Sequence, residues 1–280
     1  MSRFPEKHKS TLLPTADEYI KRLPVRHRSG VNGLGWRPAA PDARDYLYAA
    51  PVQWYGDGAP GAIDFRSDLS AVGFQGETCA CTAFAVAAAI EFDRKKQQLP
   101  VFAPSPLFIY YNTRVIEHDI ESDNGAANIS TIKAVQTLGA PPEINWPFDP
   151  ANLAVKPSDQ AYQSAKSDLV SKYMAVSKTV QQLQGCLAAG FPFVFGLTIY
   201  DSFYDNVDES GVVPMPAGTE GQRGGHTMLA VGYKDADRQF IVRNSWGASW
   251  GDNGYCYLPY EYMIGPHTGE FYTVRSVSGG

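Results

Sequence analysis

The chain holds only four cysteines in 280 residues: Cys79, Cys81, Cys186 and Cys256. That is too few to staple a chain of this length with disulfides. They lack the paired spacing of a zinc site, and the five histidines are scattered, so neither metal nor cofactor is expected. Positive charge is also in short supply. Lys and Arg number 24 against 29 Asp and Glu, for a net charge of −5, which gives no electrostatic case for nucleic acid or an anionic membrane. No apolar run approaches the roughly 20 residues of a membrane-spanning helix. Residues 1–10 contain no apolar core segment, so no secretory signal peptide is visible. The expectation is a protein that is cytoplasmic or exported by another route. Internal repeats and low-complexity tracts are absent. What remains is an ordinary globular composition, 44% apolar and 19% charged, and a length that suits one large domain or two modest lobes.

Residues 1–60 differ in texture from the rest. They carry Pro5, Pro14, Pro24, Pro38, Pro41, Pro51 and Pro60 and many charges. One short helix is expected over 15–23, opened by Thr15 as a cap. The rest reads as extended and cannot build its own core. Trp36, Tyr46, Tyr48 and Trp54 favour a strap over the folded body, since disordered tails are poor in aromatics.

From Ile63 the chain becomes globular. Helices are expected over 81–98, 105–117, 130–138, 157–167 and 180–189. The first is apolar all round for ten residues and so is buried there, while its end over 91–96 reads as a solvated face. Strands are expected over 193–200, 211–215, 226–233, 240–243, 254–258 and 271–274. Helices first and antiparallel strands second imply an α+β protein of two lobes, with a helical lobe at about 61–170 and a β-rich lobe at about 171–280. A site would lie in the cleft between them.

Cys81 stands where a polar, glycine-bearing loop turns into the buried helix. A thiol there faces unpaired backbone N–H groups and the positive end of the helix dipole, which favour the nucleophilic thiolate. Gln75, six residues earlier, offers a side-chain N–H donor. Of the histidines, His226 has the most informative setting, at the start of an apolar strand after Gly224 and Gly225. Asn244 ends the partner strand. If a hairpin turns at 234–237, the two strand ends meet, and the Asn244 amide oxygen can fix the tautomer of His226. Trp246 would cover that bond. His8, His27, His118 and His267 read as solvated, and Cys186 and Cys256 as core.

These segments resemble those of papain-like cysteine peptidases, and within them a bacterial branch such as xylellain. Gln75-Gly76 and Cys81-Thr82-Ala83-Phe84 match the oxyanion and nucleophile region. The segment His226-Thr227-Met228-Leu229-Ala230-Val231-Gly232-Tyr233 matches the histidine region. The best match runs from Asn244-Ser245-Trp246-Gly247 to Gly254-Tyr255. The order Gln, Cys, His, Asn is that of the family, and Cys81 to His226 spans the expected interval of roughly 130–150 residues. The resemblance covers about 63–280 and leaves 1–60 as a pro-region-like extension before a peptidase domain at 61–280. It implies a monomeric endopeptidase acting on protein or peptide substrates through Cys81, His226, Asn244 and Gln75, with a Cys81 thiolate paired to a protonated His226. It also implies that Gly125 and Ala126 line the non-primed cleft. Gly196 and Gly225 would flank a roomy specificity pocket for an apolar side chain, with Gly269 or Glu270 at its floor; Glu270 would also admit arginine. Trp250 is either core or a wall on the leaving-group side.

The sequence also departs from the family pattern. Thr82 stands where a tryptophan is usual, leaving a gap beside the nucleophile. Thr78 stands where a cysteine is usual, and the stretch Asp123-Asn124-Gly125-Ala126 lacks its partner, so the family's disulfide is not expected. The extension is short for an inhibitory pro-region, yet part of it is expected to lie across the cleft as in a zymogen. Two other readings use the same residues: an acyl transferase with the same triad, and a catalytically silent binding protein.

Overall fold

The computed structural model describes residues 33–40, 45–55 and 58–278. The helix expected over 15–23 lies outside the described residues. The element that positions everything else is α1 (Cys81–Lys96). Its alanines favour helix and let neighbours approach closely, and of its first ten residues only Phe84 is not fully buried. The helix α2 (Pro106–Ile116) starts where the Ser105 side chain accepts the Phe108 N–H at 3.1 Å, with proline in the first turn. The helix α3 (Asn128–Leu138) stops at Gly139, whose φ of 76° favours glycine. The shorter α4 (Asp159–Ala165) is capped by Ser158.

The rest is one sheet. Its strands are β1 (Leu47–Tyr48), β2 (Ala62–Asp64), β3 (Val170–Val176), β4 (Phe193–Tyr200), β5 (Gln222–Lys234), β6 (Gln239–Arg243), β7 (Tyr255–Pro259) and β8 (Thr268–Val277). They lie in the order β1-β3-β8-β4-β5-β6-β7, with β2 also paired to β5. Three short helices join them: α5 (Val180–Ala188), α6 (Asp201–Asn206) and α7 (Tyr260–Ile264).

Alternation along the strands serves two buried faces. Val194, Leu229, Val231 and Ile241 pack with α1, α2 and α3, whereas Phe193, Phe195, Met228, Ala230 and Val242 pack with Leu183 and Cys186 of α5. The result is the α+β arrangement read from the order of elements.

Four details differ from the sequence reading. The end of α1 is a solvated face only at Lys95 and Lys96, whereas residues 91–94 are buried. Glu91 accepts the Ser70 N–H at 3.0 Å and the Ser70 hydroxyl at 2.9 Å, and Arg94 is buried in an ion pair with Asp168. Burial without such partners would be costly, and pairing removes that cost. Residues 211–215 form no strand; Val212 makes a single bridge to Tyr257. The strand β3 was not expected, because Ser171 and Lys172 are exposed and break its apolar run. Finally, β1 lies in parallel register on Ala175 and Val176, and Tyr48 is buried. Part of the proline-rich extension is therefore built into the sheet.

Candidate active site

The hairpin between β5 and β6 joins His226 to Asn244. Ring nitrogen Nε2 of His226 lies 2.7 Å from Asn244 Oδ1, which also accepts the Ser245 N–H at 2.8 Å. An amide oxygen only accepts, so Nε2 carries the hydrogen and Nδ1 keeps its lone pair. Nδ1 has no hydrogen-bond partner among the described residues. His226 is not at the strand end but inside β5, opposite Leu197. The Trp246 ring lies over the imidazole, with centroids 4.8 Å apart. Trp250 stands edge-on to Trp246 at 5.2 Å and stacks on Phe203 at 5.8 Å, so it supports that cover.

Cys81 is the first residue of α1 and is fully buried. Burial pushes its thiol up to about 11, against the backbone N–H groups of Thr227 and Gly35, the Thr227 hydroxyl and the Thr82 N–H, which favour the thiolate. Burial likewise pushes His226 down to about 4, against the bond from Asn244. Burial opposes the charged form of each group, and no hydrogen bond joins the imidazole to the thiol, since Nδ1 is without a partner among the described residues.

Gln75 is buried and fully bonded. Ser245 Oγ donates to its Oε1, and its Nε2 donates to Thr78 O at 2.6 Å and to Gly33 O at 3.0 Å. The Gly33 contact belongs to an extended segment that runs along these residues. Gly33 N–H donates to Gly76 O at 3.3 Å, Trp36 N–H to Gly225 O at 2.9 Å, Ala126 N–H to Gly35 O at 2.7 Å, and Arg37 N–H to Ala126 O at 3.0 Å. A Cβ on Gly125 would overlap the Gly35 carbonyl, one on Gly225 the Trp36 carbonyl, and one on Gly196 the Trp36 indole. Four of the five residues expected to bind substrate, Gly125, Ala126, Gly196 and Gly225, thus touch residues 35–37, whereas Trp250 packs on Phe203 and Trp246. Arg37 closes the segment with ion pairs to Glu117 at 2.5 Å and Asp119 at 3.2 Å. Of the two floor candidates, Glu270 bonds the indole Nε1 at 2.6 Å and Gly269 lies beneath the ring.

Two residues at the site were not singled out from sequence. Thr227 touches the thiol, and Ser245 fixes the Gln75 amide. Each directly follows a chosen residue, and that adjacency was the available signal. All four cysteines carry free thiols. No group of metal-binding side chains occurs among the described residues.

The papain family cysteine protease model matches residues 59–265. An uncharacterized peptidase C1-like protein of Acanthamoeba polyphaga mimivirus is 38% identical over 215 residues, covering 73% of this chain and 69% of that one. The crystal structure of xylellain, a cysteine protease from Xylella fastidiosa, superposes with a TM-score of 0.83 at 36% identity, covering 88% of this chain and 97% of that one. Digestive procathepsin L 3 of Tenebrio molitor shares the fold at a TM-score of 0.62 and 17% identity, covering 93% of this chain and 79% of that one. The chain belongs to the papain family of cysteine proteases.

Proposed function

We propose that this cysteine peptidase cleaves internal peptide bonds with Cys81 as nucleophile, His226 as base and acid, and Asn244 and Gln75 as orienting and oxyanion groups. The open lone pair of His226 Nδ1 supports the first step. It takes the Cys81 proton as sulfur attacks the substrate carbonyl carbon. The developing oxyanion would be held by the Gln75 Nε2–H and the Cys81 N–H. His226 then gives its proton to the leaving amine as the C–N bond breaks. Water, deprotonated by His226, releases the acyl group from sulfur.

The observation that carries this reading is the Gly33 carbonyl on the Gln75 amide. It supports an oxyanion donor already matched to a peptide carbonyl. The same contact supports autoinhibition in cis by residues 33–37. Gly33 lies at the oxyanion donor and Trp36 in the pocket, so the segment runs from donor to pocket. In the papain arrangement the pocket takes a residue on the N-terminal side of the scissile carbonyl. The segment therefore lies against the substrate direction, and Cys81 meets the Gly35 N–H rather than a carbonyl carbon. An N–H offers the sulfur no electrophilic carbon, so the segment blocks without being cut.

Labelling with an epoxide-type thiol inhibitor, mapped by mass spectrometry, and hydrolysis of fluorogenic peptides test this reading. Full-length protein and its Trp36→Ala variant are compared. Adduct on Cys81 and faster hydrolysis by the variant are expected. No adduct on either protein would defeat the catalytic reading, and equal rates would defeat the inhibitory one.

A further inference from the structure

Three glycines on three adjacent strands give the cleft a flat floor. Gly269 of β8 pairs with Gly196 of β4, Gly196 pairs with Thr227 of β5, and Gly225 pairs with Thr198. Residues directly opposite one another share a face, so Gly269, Gly196 and Gly225 bare one patch of backbone. The Trp36 indole lies on it. A Cβ at Gly196 would overlap the ring, and one at Gly269 would sit 3.5 Å from Cζ2.

A carboxylate is aimed into this slot by a bulge. From Val194 to Gly196 β4 advances two residues while β8 advances three, from Tyr272 to Gly269. Glu270 sits in that bulge with a φ of 53°, a left-handed conformation uncommon outside glycine. Bulges re-aim side chains in this way. Its Oε1 accepts the Ile129 N–H at 3.3 Å, and its Oε2 accepts the Asn128 N–H at 3.4 Å and the Trp36 indole N–H at 2.6 Å. Asn128 and Ile129 open α3, so a helix start anchors the carboxylate. Asn128 Nδ2 donates to the Glu270 carbonyl at 3.1 Å, and Asn128 Oδ1 accepts the Thr227 hydroxyl at 2.7 Å. The carboxylate is thus held by the Ile129 and Asn128 N–H groups on one side, and meets the Trp36 indole and the Ala39 N–H on the other.

On the reading that the chain is a peptidase, we propose that this slot selects tryptophan in the substrate and that Glu270 reads the indole N–H. An aliphatic side chain fits the space but leaves a half-buried carboxylate without the indole N–H, its shortest contact. A guanidinium is flat and donates, but it covers less of the glycine floor. Its five N–H groups outnumber the acceptor sites that Glu270 leaves open beyond the Ile129 and Asn128 N–H groups. The glycines set the shape, the bulge sets the acceptor, and Trp36 is the chain's own copy of the preferred side chain.

The test uses full-length Trp36→Ala protein, whose own indole no longer competes. Fluorogenic peptides differ only at the residue that enters the slot: tryptophan, 3-benzothienylalanine, arginine or leucine. Benzothienylalanine keeps the bicyclic shape and replaces the N–H with sulfur. Epoxide probes bearing the same four residues give a second readout, the rate of Cys81 labelling. The expected result is a kcat/KM and a labelling rate about tenfold or more higher for tryptophan than for benzothienylalanine or leucine. That gap should close when Glu270→Ala is added. Should that variant fail to fold, the tryptophan and benzothienylalanine pair still decides. Equal rates for that pair, or arginine or leucine ahead of tryptophan, would overturn the proposal while leaving the peptidase reading intact. No cleavage and no labelling by any of the four would sink the peptidase reading, and this proposal with it.

Discussion

The side-chain amide of Gln75 gives one N–H to the carbonyl of Gly33 at 3.0 Å and the other to Thr78 O at 2.6 Å. One group therefore serves two opposed purposes. It holds the covering segment closed, and it is the donor proposed to stabilise the reaction's oxyanion. Gln75→Ala should separate them. Losing an oxyanion donor lowers kcat by about 10²–10³. Losing the Gly33 contact loosens residues 33–37, so alkylation of Cys81 by a small reagent should become faster in full-length protein. Rate measurements on both reactions check this. Parallel falls in the two rates would mean that the Gly33 contact does not hold the cleft shut.

Gly196 offers a second separation. A Cβ there would overlap the Trp36 ring, and Gly196 lies on β4 where the backbone is fixed by both neighbouring strands. Gly196→Val should expel Trp36 and also fill the slot. Alkylation of Cys81 by iodoacetamide should rise, while hydrolysis of peptides with a large residue for the slot should fall by about tenfold or more, the scale of a few lost contacts. Far-ultraviolet circular dichroism would verify that the fold survives. If both rates rise together, Gly196 is not a wall of the substrate pocket.

Stability should depend on pH through His226. Burial holds its pKa at about 4, below the ordinary 6.5. Between those values the unfolded chain binds the proton and the folded one does not, so stability falls as pH falls. The contribution is complete above about pH 6.5 and smaller by about 3 kcal/mol below about pH 4. Glu270, raised by burial, acts the other way, since the folded state holds its proton to higher pH than the unfolded chain. Asp119, held low by the Ser122 hydroxyl, stays ionised beside Arg37 through most of this window. Asp93, pushed up by burial to about 6, opposes His226 over the same range, so thermal melts from about pH 7 to about pH 4.5 should show His226→Gln gaining on the unsubstituted protein as pH falls. A slope unchanged in that variant would assign the acid sensitivity to another group.

These features differ in how far the sequence revealed them. The pairing of His226 with Asn244 was legible because each sits in a short motif and a turn at 234–237 brings the two together. The long helices were legible because their caps and glycine stops are local, as at Ser105 and Gly139. The direction of Glu270 was not, since it depends on a bulge set by pairing with β4. Burial of Glu91 and Arg94 was hidden because their partners, Ser70 and Asp168, lie 21 and 74 residues away. The complete burial of Cys81 and His226 was hidden for a related reason. Local sequence gives the helix dipole and the partner, but desolvation comes from what the fold lays over them, including Gly35.

The N-terminal extension, read from sequence as one strap over 1–60, divides into two parts with different duties. Residues 33–37 touch the cleft. Residues 45–55 touch the body: Tyr48 is buried and donates to Gly185 O at 3.0 Å, Ala50 N–H donates to Gln182 Oε1 at 2.8 Å, and β1 lies on β3. Truncation should therefore have opposite consequences on either side of the gap. A chain starting at residue 41 should keep its fold and gain access to Cys81, seen as faster alkylation with an unchanged urea midpoint. A chain starting at residue 56 should lose an edge strand and a buried aromatic. Tyr48→Ala alone should cost about 3 kcal/mol, the usual scale for removing a large buried ring, and the longer truncation should cost more. Urea unfolding of the three proteins measures this. Equal midpoints for the chains starting at 41 and 56 would show that residues 45–55 belong with the cover rather than with the sheet. Removing the cover from the enzyme would then require a cut beyond residue 55 instead of one near 40.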